Sequence, residues 1–248
     1  MNSLKFWKPE TFDIASTKWY LSQRIDKELL GNGRDKGNCY YTFNEYGFRG
    51  DSPKKGGLKL MSVGCEHTEG IFVQNHQTWP HYLSRLLPDG VDLNLGMSGR
   101  SNDYISRSIL TWTDTMNPSL VLVMYTYPYK REYYKKDGGL EPYHPKPWGY
   151  FDEEKQGKLD WANLITVNNE EEDMMNWYKN HQLITYYLKS KEIPFIWNGT
   201  FLKTDYTDEN RYDGNYPYFE SDTKFATPQQ NQVYANNLSN HIKEKFEI

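Results

Sequence analysis

Short apolar runs alternate along the chain with longer segments in which apolar residues recur every three or four positions. The short runs are typical of strands buried on both faces, and the longer segments of amphipathic helices. Strands are predicted at LKLMSVG (58–64), VDLNLG (91–96), SLVLVMYT (119–126) and IPFIWNG (193–199). Helices are predicted at 77–87, 101–116, 170–192 and 227–246. This alternation predicts βαβ units, and therefore a three-layer α/β/α sandwich with a central parallel sheet.

The ends of two helices carry clear sequence signals. Ser101 is a favourable N-cap, with Asp103 in the first turn, and Pro118 should end the helix. Thr227 is a second N-cap, and Pro228 occupies the first helical position. The helices are thus predicted to begin at defined residues.

The alternation of strand and helix patterns begins at Leu58, which divides the chain into two parts. Residues 1–57 are predicted to be an N-terminal extension that packs on the core, with one short helix in TKWYLSQRIDKELLG (17–31). Residues 58–248 form the α/β domain, with irregular loop insertions at about 127–168 and 201–226. Loops of this length in a compact domain usually serve function or interaction.

Composition narrows the class of protein. The chain has 248 residues, which suits one domain, and its net charge of −4 gives no reason to expect nucleic acid as a partner. Two cysteines, Cys39 and Cys65, form no disulfide framework and indicate a reducing compartment or a virus particle assembled inside one. The sequence shows no signal peptide and no membrane segment, so a cytoplasmic or virion-associated protein is expected. No cofactor is predicted.

The stretch GCEHTEG (64–70) has the pattern of a strand that runs through a tight turn into a helix. In parallel α/β sheets, ligands bind outside the carboxyl ends of the strands, and this stretch lies at such an end. Glu66 occupies the position where such a turn would present a nucleophile. Another string, Gly50-Asp51-Ser52, lacks a preceding strand and a following helix, so Ser52 is not expected to be a nucleophile.

From about residue 43 onward the chain resembles the SGNH (GDSL-type) hydrolases, and especially the SGNH-like proteins of phages and viruses. The segments that carry this resemblance are FNEYGFRG (43–50), GCEHTEG (64–70), NLGMSGRSND (94–103), VLVMYTYPYKRE (121–132) and FATPQQNQVYANNL (225–238). The resemblance implies a flavodoxin-like fold. It also implies a Ser-His-Asp triad in which serine attacks an acyl carbon and histidine takes its proton.

The residues of that triad are replaced in this sequence. Glu66 stands in the serine position, Thr227 in the histidine position and Lys224 in the aspartate position. Only Gly99 matches its counterpart, the glycine whose N–H helps to form the oxyanion hole. The resemblance therefore implies a catalytically degenerate protein. An active esterase on glycan acetyl groups, with a site rearranged around Glu66, Asp222 and Gly99, and an inactivated form of such an enzyme both stay open.

Other polar residues near the strand ends are candidates for ligand binding: His67, Asn102, Arg131 and Asp222. Arg131 is expected to form an ion pair with Glu66 across the mouth of the site. No metal site is predicted, because Glu66 and His67 lack further obvious ligands and neighbouring side chains at a helix start diverge. Cys65 is expected to face the core.

The aromatic loops favour binding as the function. Aromatic residues make up 16% of the chain and are concentrated in the two loop insertions. Because aromatic faces stack on sugars, carbohydrate recognition is one expected role. A structural or decoration role on a virus particle, with virion proteins as partners, is the other.

Overall fold

The architecture was analysed in a computed structural model, which describes residues 29–30, 38–39, 41–44, 46–52, 55–134, 140–143, 170–202, 204–216 and 226–247. The strands are β1 (Leu29–Leu30), β2 (Asn38–Cys39), β3 (Leu58–Val63), β4 (Gly90–Asn94), β5 (Leu120–Met124), β6 (Arg131–Tyr134), β7 (Leu140–Tyr143), β8 (Phe195–Asn198) and β9 (Arg211–Tyr212). The α-helices are α1 (Glu66–Glu69), α2 (Trp79–Leu86), α3 (Asn102–Met116), α4 (Glu170–Ser190) and α5 (Pro228–Phe246), and a 3₁₀ turn spans Asn75–Gln77.

Five parallel strands form the central sheet, in the order β4-β3-β5-β8-β9. In order of appearance along the chain, these strands are arranged 2-1-3-4-5, which is the flavodoxin-like order. The four strands predicted from sequence are confirmed, and so is the parallel α/β fold. Strand β9 falls in the segment 201–226 that was predicted to be an irregular loop. It pairs Trp197 with Arg211 and Asn198 with Tyr212, and its two residues are too few for a periodic signal.

Helices cover both faces of the sheet because successive strand residues point to opposite sides. In β5, Leu120, Leu122 and Met124 face one side, whereas Val121 and Val123 face the other. The first side packs against residues of α2 and α5, namely Trp79, Leu83, Tyr234, Leu238 and Ile242. The second side packs against residues of α3 and α4, namely Ile105, Ile109, Trp177, Ile184 and Leu188. The predicted three-layer sandwich is therefore confirmed.

The predicted helix caps are also confirmed. The side chain of Ser101 accepts a hydrogen bond from the N–H of Tyr104. Thr227 forms a capping box with Gln230, and Pro228 lies in the first turn. Helix α3 ends at Asn117, whose left-handed backbone (φ 46°) turns the chain before Pro118.

Two further local predictions are wrong. The C-terminal end of the helix predicted at 17–31 is a strand: Leu29 pairs with Cys39 and Leu30 with Asn38, antiparallel. Helical spacing is a weak signal, which pairing with a second strand can override. Within the predicted irregular segment 127–168, β6 and β7 form an antiparallel ribbon. The rest of the predicted helix lies outside the described residues, as do Asp222 and Lys224.

Arg49, from the FNEYGFRG segment, ties the chain after α1 to the core. Its buried guanidinium donates hydrogen bonds to the backbone carbonyls of Glu69, Gly70 and Val73. It also donates to the side chain of Asn75 at 2.8 Å. One planar group of five donors thereby satisfies acceptors along seven residues of chain that form no long helix or strand.

None of the helices in the described ranges is long and apolar enough to cross a membrane.

Asp92 is an acidic group in the edge strand β4 whose pKa is strongly perturbed. Its side chain is only 18% exposed, and its Oδ2 lies 4.0 Å from Nδ1 of His81. Burial raises the pKa of Asp92 to about 7, although the charge of Arg49 opposes this shift. Because the folded state then binds the proton more tightly than the unfolded chain, stability should fall as pH rises from about 4 to about 7.

The substitution Asp92→Asn is expected to remove this pH dependence. At pH 8 it should raise the free energy of unfolding by about 1–3 kcal/mol, whereas at pH 4 it should change little. Urea unfolding at the two pH values measures the difference. Asp89→Asn, at an exposed carboxyl just before the same strand, is the matched control and should have no such effect. An equal gain at both pH values would show that the charge of Asp92 is not the cause.

Candidate functional site

Helix α1 begins directly at the carboxyl end of β3 and places Glu66 at its first position. The close approach of the helix depends on Gly64, because a Cβ there would lie 2.1 Å from Oγ1 of Thr68 and 3.0 Å from the carbonyl oxygen of Met124. The predicted strand-turn-helix geometry is therefore present. The position that the resemblance assigns to a nucleophile carries the carboxylate of Glu66.

Both oxygens of the Glu66 carboxylate accept hydrogen bonds from the site itself. Nζ of Lys130 donates to Oε1 at 2.8 Å, and the backbone N–H of Gly99 donates to Oε2 at 3.1 Å. Lys130 is 7% exposed and Glu66 is 16% exposed, so water screens the ion pair weakly. Gly99 is the residue to which the SGNH resemblance assigns the oxyanion-hole N–H, and this N–H is bound to Glu66.

The electrostatics keep this pair charged. Burial alone would raise the pKa of Glu66, but the ammonium group of Lys130 holds it well below its usual range. Burial opposes the charge of Lys130 as well, yet the carboxylate of Glu66 raises the pKa of this lysine. A carboxylate with a lowered pKa is a weak base and a weak nucleophile.

The expected pairing of Arg131 with Glu66 is wrong. The guanidinium of Arg131 instead binds Glu172 at 3.3 Å and Asp173 at 3.1 Å, both in the first turn of α4. Lys130 and Arg131 are adjacent where β6 begins, and neighbouring residues of an extended chain point to opposite sides. The sequence contained both cations, but it did not show which of them faces the site.

A second acidic residue of α1 positions the loop that carries Gly99. The Glu69 carboxylate accepts a hydrogen bond from the backbone N–H of Ser98 at 2.6 Å. It also accepts one from the hydroxyl of Ser98. Glu69 is buried, and it was not identified from sequence, because its spacing from Ser98 follows no local pattern.

Cys65, Glu66 and His67 come together more closely than predicted. One ligand atom from each lies within 4.8 Å of the others, so these neighbouring side chains do converge. Burial raises the pKa of the Cys65 thiol to about 12, which keeps it protonated. Burial also lowers the pKa of His67 to about 4. Since Lys130 and Gly99 already bind the carboxylate of Glu66, we assign no metal ion to this group.

The side chains of Asn102 and Thr227 form hydrogen bonds with backbone groups. The Asn102 side chain accepts from the N–H of Thr126 at 3.0 Å and donates to the carbonyl of the same residue at 3.2 Å. It thus ties the start of α3 to the chain after β5. The hydroxyl of Thr227, which the SGNH resemblance aligns with the triad histidine, accepts from the N–H of Gln230. Ligand binding by Asn102 and His67 stays a prediction.

Aromatic rings form a continuous row beside the ion pair. Tyr129 stacks on Tyr127 with ring centroids 5.2 Å apart, and Tyr127 contacts Phe201 at 5.2 Å. Phe201 in turn stacks on His67 at 4.7 Å. Nζ of Lys130 lies 5.7 Å from the centre of the Tyr127 ring. Both tyrosines are partly exposed, whereas Phe201 and His67 are buried, so the row runs from the surface to Glu66.

A histidine–aspartate pair does exist in the molecule, but in a different setting. Nε2 of His181 lies 3.0 Å from Asp208, and its Nδ1 lies 2.9 Å from the hydroxyl of Tyr125. Asp208 also accepts from the indole N–H of Trp197 at 2.8 Å. Tyr125 and His181 are fully buried, and burial lowers the pKa of His181. This network connects α4 to the chain before β9, with Asp208 partly exposed at its outer end.

No protein-family model matches the sequence, and no curated protein matches it. Among solved structures, the chain is similar to an acetyl-xylooligosaccharide esterase mutant from Geobacillus stearothermophilus, at 13% identity and a TM-score of 0.35, over 76% of this chain and 94% of that one. It is similar to a GDSL-like lipase from Bacteroides thetaiotaomicron at 15% identity and a TM-score of 0.33, over 75% and 88%. It is also similar to a lipolytic G-D-S-L family protein from Desulfitobacterium hafniense at 11% identity and a TM-score of 0.33, over 74% and 98%. No conclusion about activity follows from these similarities.

Proposed function

We propose that this protein works by binding a glycan and does not hydrolyse esters. The observation that supports the absence of hydrolysis is the state of Glu66. Its carboxylate stands in the nucleophile position of the SGNH resemblance and is held by Lys130 and by the N–H of Gly99. The donor that would stabilise an oxyanion in an SGNH hydrolase is thus engaged by a side chain of the protein itself.

The chemistry of a carboxylate supports the absence of hydrolysis. Attack by Glu66 on an acyl carbon would form a mixed anhydride, and the ion pair with Lys130 would have to break first. Triad members act as a unit, so a lone oxyanion donor would leave only a small part of the rate enhancement. In this protein that donor, the N–H of Gly99, is also bound to Glu66.

The row of rings supports a glycan as the ligand. Tyr127 and Tyr129 present a stacked, partly exposed aromatic pair next to Lys130 and the carboxyl edge of the sheet. Ligand sites of this kind combine aromatic surface with a few charged or polar groups that fix orientation. A sugar ring offers apolar C–H faces for Tyr129 and hydroxyl groups for hydrogen bonds.

The absence of hydrolysis can be tested with p-nitrophenyl acetate. The purified protein and a Glu66→Ala variant are both expected to hydrolyse it no faster than buffer alone, because neither carries a competent nucleophile. Release of p-nitrophenolate measures the rate. Hydrolysis by the parent that is lost in Glu66→Ala would identify Glu66 as catalytic and would contradict the proposal.

Glycan binding can be tested on an oligosaccharide array, followed by titration calorimetry with the best ligand. Tyr129→Ala should weaken binding about tenfold or more, which corresponds to about 1.4 kcal/mol. Tyr129→Phe keeps the ring and should bind within about threefold of the parent. If no oligosaccharide on the array binds, or if Tyr129→Ala binds as well as the parent, the glycan proposal fails.

A further inference from the structure

The outer face of α4 carries an exposed apolar stripe. Met175 is 64% exposed, Tyr178 40% and Tyr186 70%. With the half-buried Gln182, these three follow one another at intervals of three or four residues, so they share one side of the helix. The exposed Lys179 and Leu183 lie beside them on the same side. The opposite side carries the buried residues Trp177, Ile184 and Leu188, which pack on the sheet. This face of α4 is therefore directed to solvent.

Charges of opposite sign lie at the two ends of the stripe. Glu171, four residues before Met175, belongs to the acidic first turn of α4. Lys189, three residues after Tyr186, lies in the last turn. Both side chains are exposed, and Lys189 also lies 3.5 Å from Glu209. The stripe thus runs from a negative end to a positive end, over about 27 Å of helix.

The residues of the stripe and its two charged ends are arranged nearly symmetrically about position 180 of α4. Glu171 and Lys189 are equally far from position 180, and so are Tyr178 and Gln182. The midpoint between Met175 and Tyr186 lies half a residue further along the helix. An identical helix laid antiparallel across this stripe would place each acidic end against a basic end, and Met175 against Tyr186. The two ends of the stripe are thus complementary to the ends of a second copy, as a two-fold interface requires.

We propose that the protein forms a two-fold dimer through antiparallel pairing of α4 with α4 of a second copy. Met175, Tyr178 and Tyr186 form the buried centre of this interface, and Glu171 and Lys189 fix its direction. Charges at the rim select the antiparallel orientation, while the apolar centre supplies most of the stability. Because a single helix face lies at the small end of specific interfaces, the dissociation constant is expected at about 1–100 µM.

Sedimentation equilibrium of the full chain at about 1–200 µM measures this association. Tyr186→Ser should weaken dimerisation about tenfold or more by removing the apolar centre. Glu171→Lys and Lys189→Glu should each weaken it, because like charges would then face each other. The double variant Glu171→Lys/Lys189→Glu restores opposite charges and should return the dissociation constant to within about threefold of the parent.

The matched control is Lys191→Glu, which makes the same change of charge just beyond the helix, where Lys191 binds Asp114 at 2.8 Å. It should leave dimerisation unchanged. Circular dichroism should show that every variant is folded, since all of these side chains are exposed. A protein that stays monomeric up to about 200 µM overturns the proposal. So does a dimer that Tyr186→Ser leaves intact, or single charge reversals that the double variant does not rescue.

Discussion

Replacing Lys130 with methionine should lower the free energy of unfolding by about 3–5 kcal/mol, because it leaves the buried carboxylate of Glu66 without its cation. Methionine keeps most of the volume and apolar stem of lysine, so the loss reports the charge rather than packing. The N–H of Gly99 would remain as the carboxylate's partner, and a single neutral donor compensates little of the lost attraction. Urea unfolding at pH 7 measures the change.

Arg131→Met, one residue further on, is the matched control. Its ion pairs with Glu172 and Asp173 are more exposed, so their loss should lower the free energy of unfolding by only about 0–1 kcal/mol. Adding Glu66→Gln to Lys130→Met removes the unpaired charge and should recover a large part of the loss. Equal losses for Lys130→Met and Arg131→Met would contradict the assignment of Lys130 as the partner of Glu66.

The free energy of unfolding that Lys130→Met loses should also depend on pH in a defined direction. The folded protein lowers the pKa of Glu66 below its ordinary value of 4.5. The stability that the pair contributes is therefore fully present above about pH 4.5 and is lost as the pH falls toward the folded pKa. The difference between the parent and Lys130→Met should accordingly narrow in acid.

Arg49→Met should lower the free energy of unfolding by about 3–4 kcal/mol, because it leaves buried hydrogen-bond acceptors unsatisfied. The carbonyls of Glu69, Gly70 and Val73 would each lose a charged donor in a buried place. Arg49→Lys keeps the charge but not the planar fork, so its loss of stability should be intermediate. Urea unfolding gives the global effect. Hydrogen exchange should show that residues 69–78 open more readily than the strands of the central sheet.

A loss of less than about 1 kcal/mol in Arg49→Met would show that water or local rearrangement satisfies these carbonyls. Val73→Ala is a useful comparison, because it shortens a buried side chain in the same segment and leaves the carbonyl bonds of Arg49 in place. Protection of residues 69–78 should therefore change less in Val73→Ala than in Arg49→Met.

The central sheet could be predicted from sequence because its signals are local. Strands such as SLVLVMYT are continuous apolar runs, and Ser101 and Thr227 mark helix starts through hydrogen bonds within three residues. Glu66 and Gly99 both follow strands at the carboxyl edge of the sheet, so they could be predicted to lie near each other. Their hydrogen bond connects residues 33 positions apart.

The contacts that the sequence could not predict depend on the direction in which a side chain points and on partners that are far away in the sequence. Lys130 and Arg131 are neighbours with the same charge, and only the path of the chain into β6 decides which of them reaches Glu66. Strand β9 owes its pairing to β8, since two residues carry no periodicity. Glu69 and Ser98 meet across 29 positions of sequence. Such contacts follow from the packed fold, so they became visible only with coordinates.

The edge strand β4 has a consequence for how the protein behaves in concentrated solution. An open sheet edge can pair with the edge of another molecule, and a charged side chain on the outer strand discourages such pairing. At the other edge of the described sheet, β9 is only two residues long and offers little to pair with. At β4, the side chain of Asp92 is only 18% exposed and burial raises its pKa to about 7, so its charge protects this edge weakly. Of the two edges of the described sheet, β4 is therefore the one at which molecules should associate in concentrated solution.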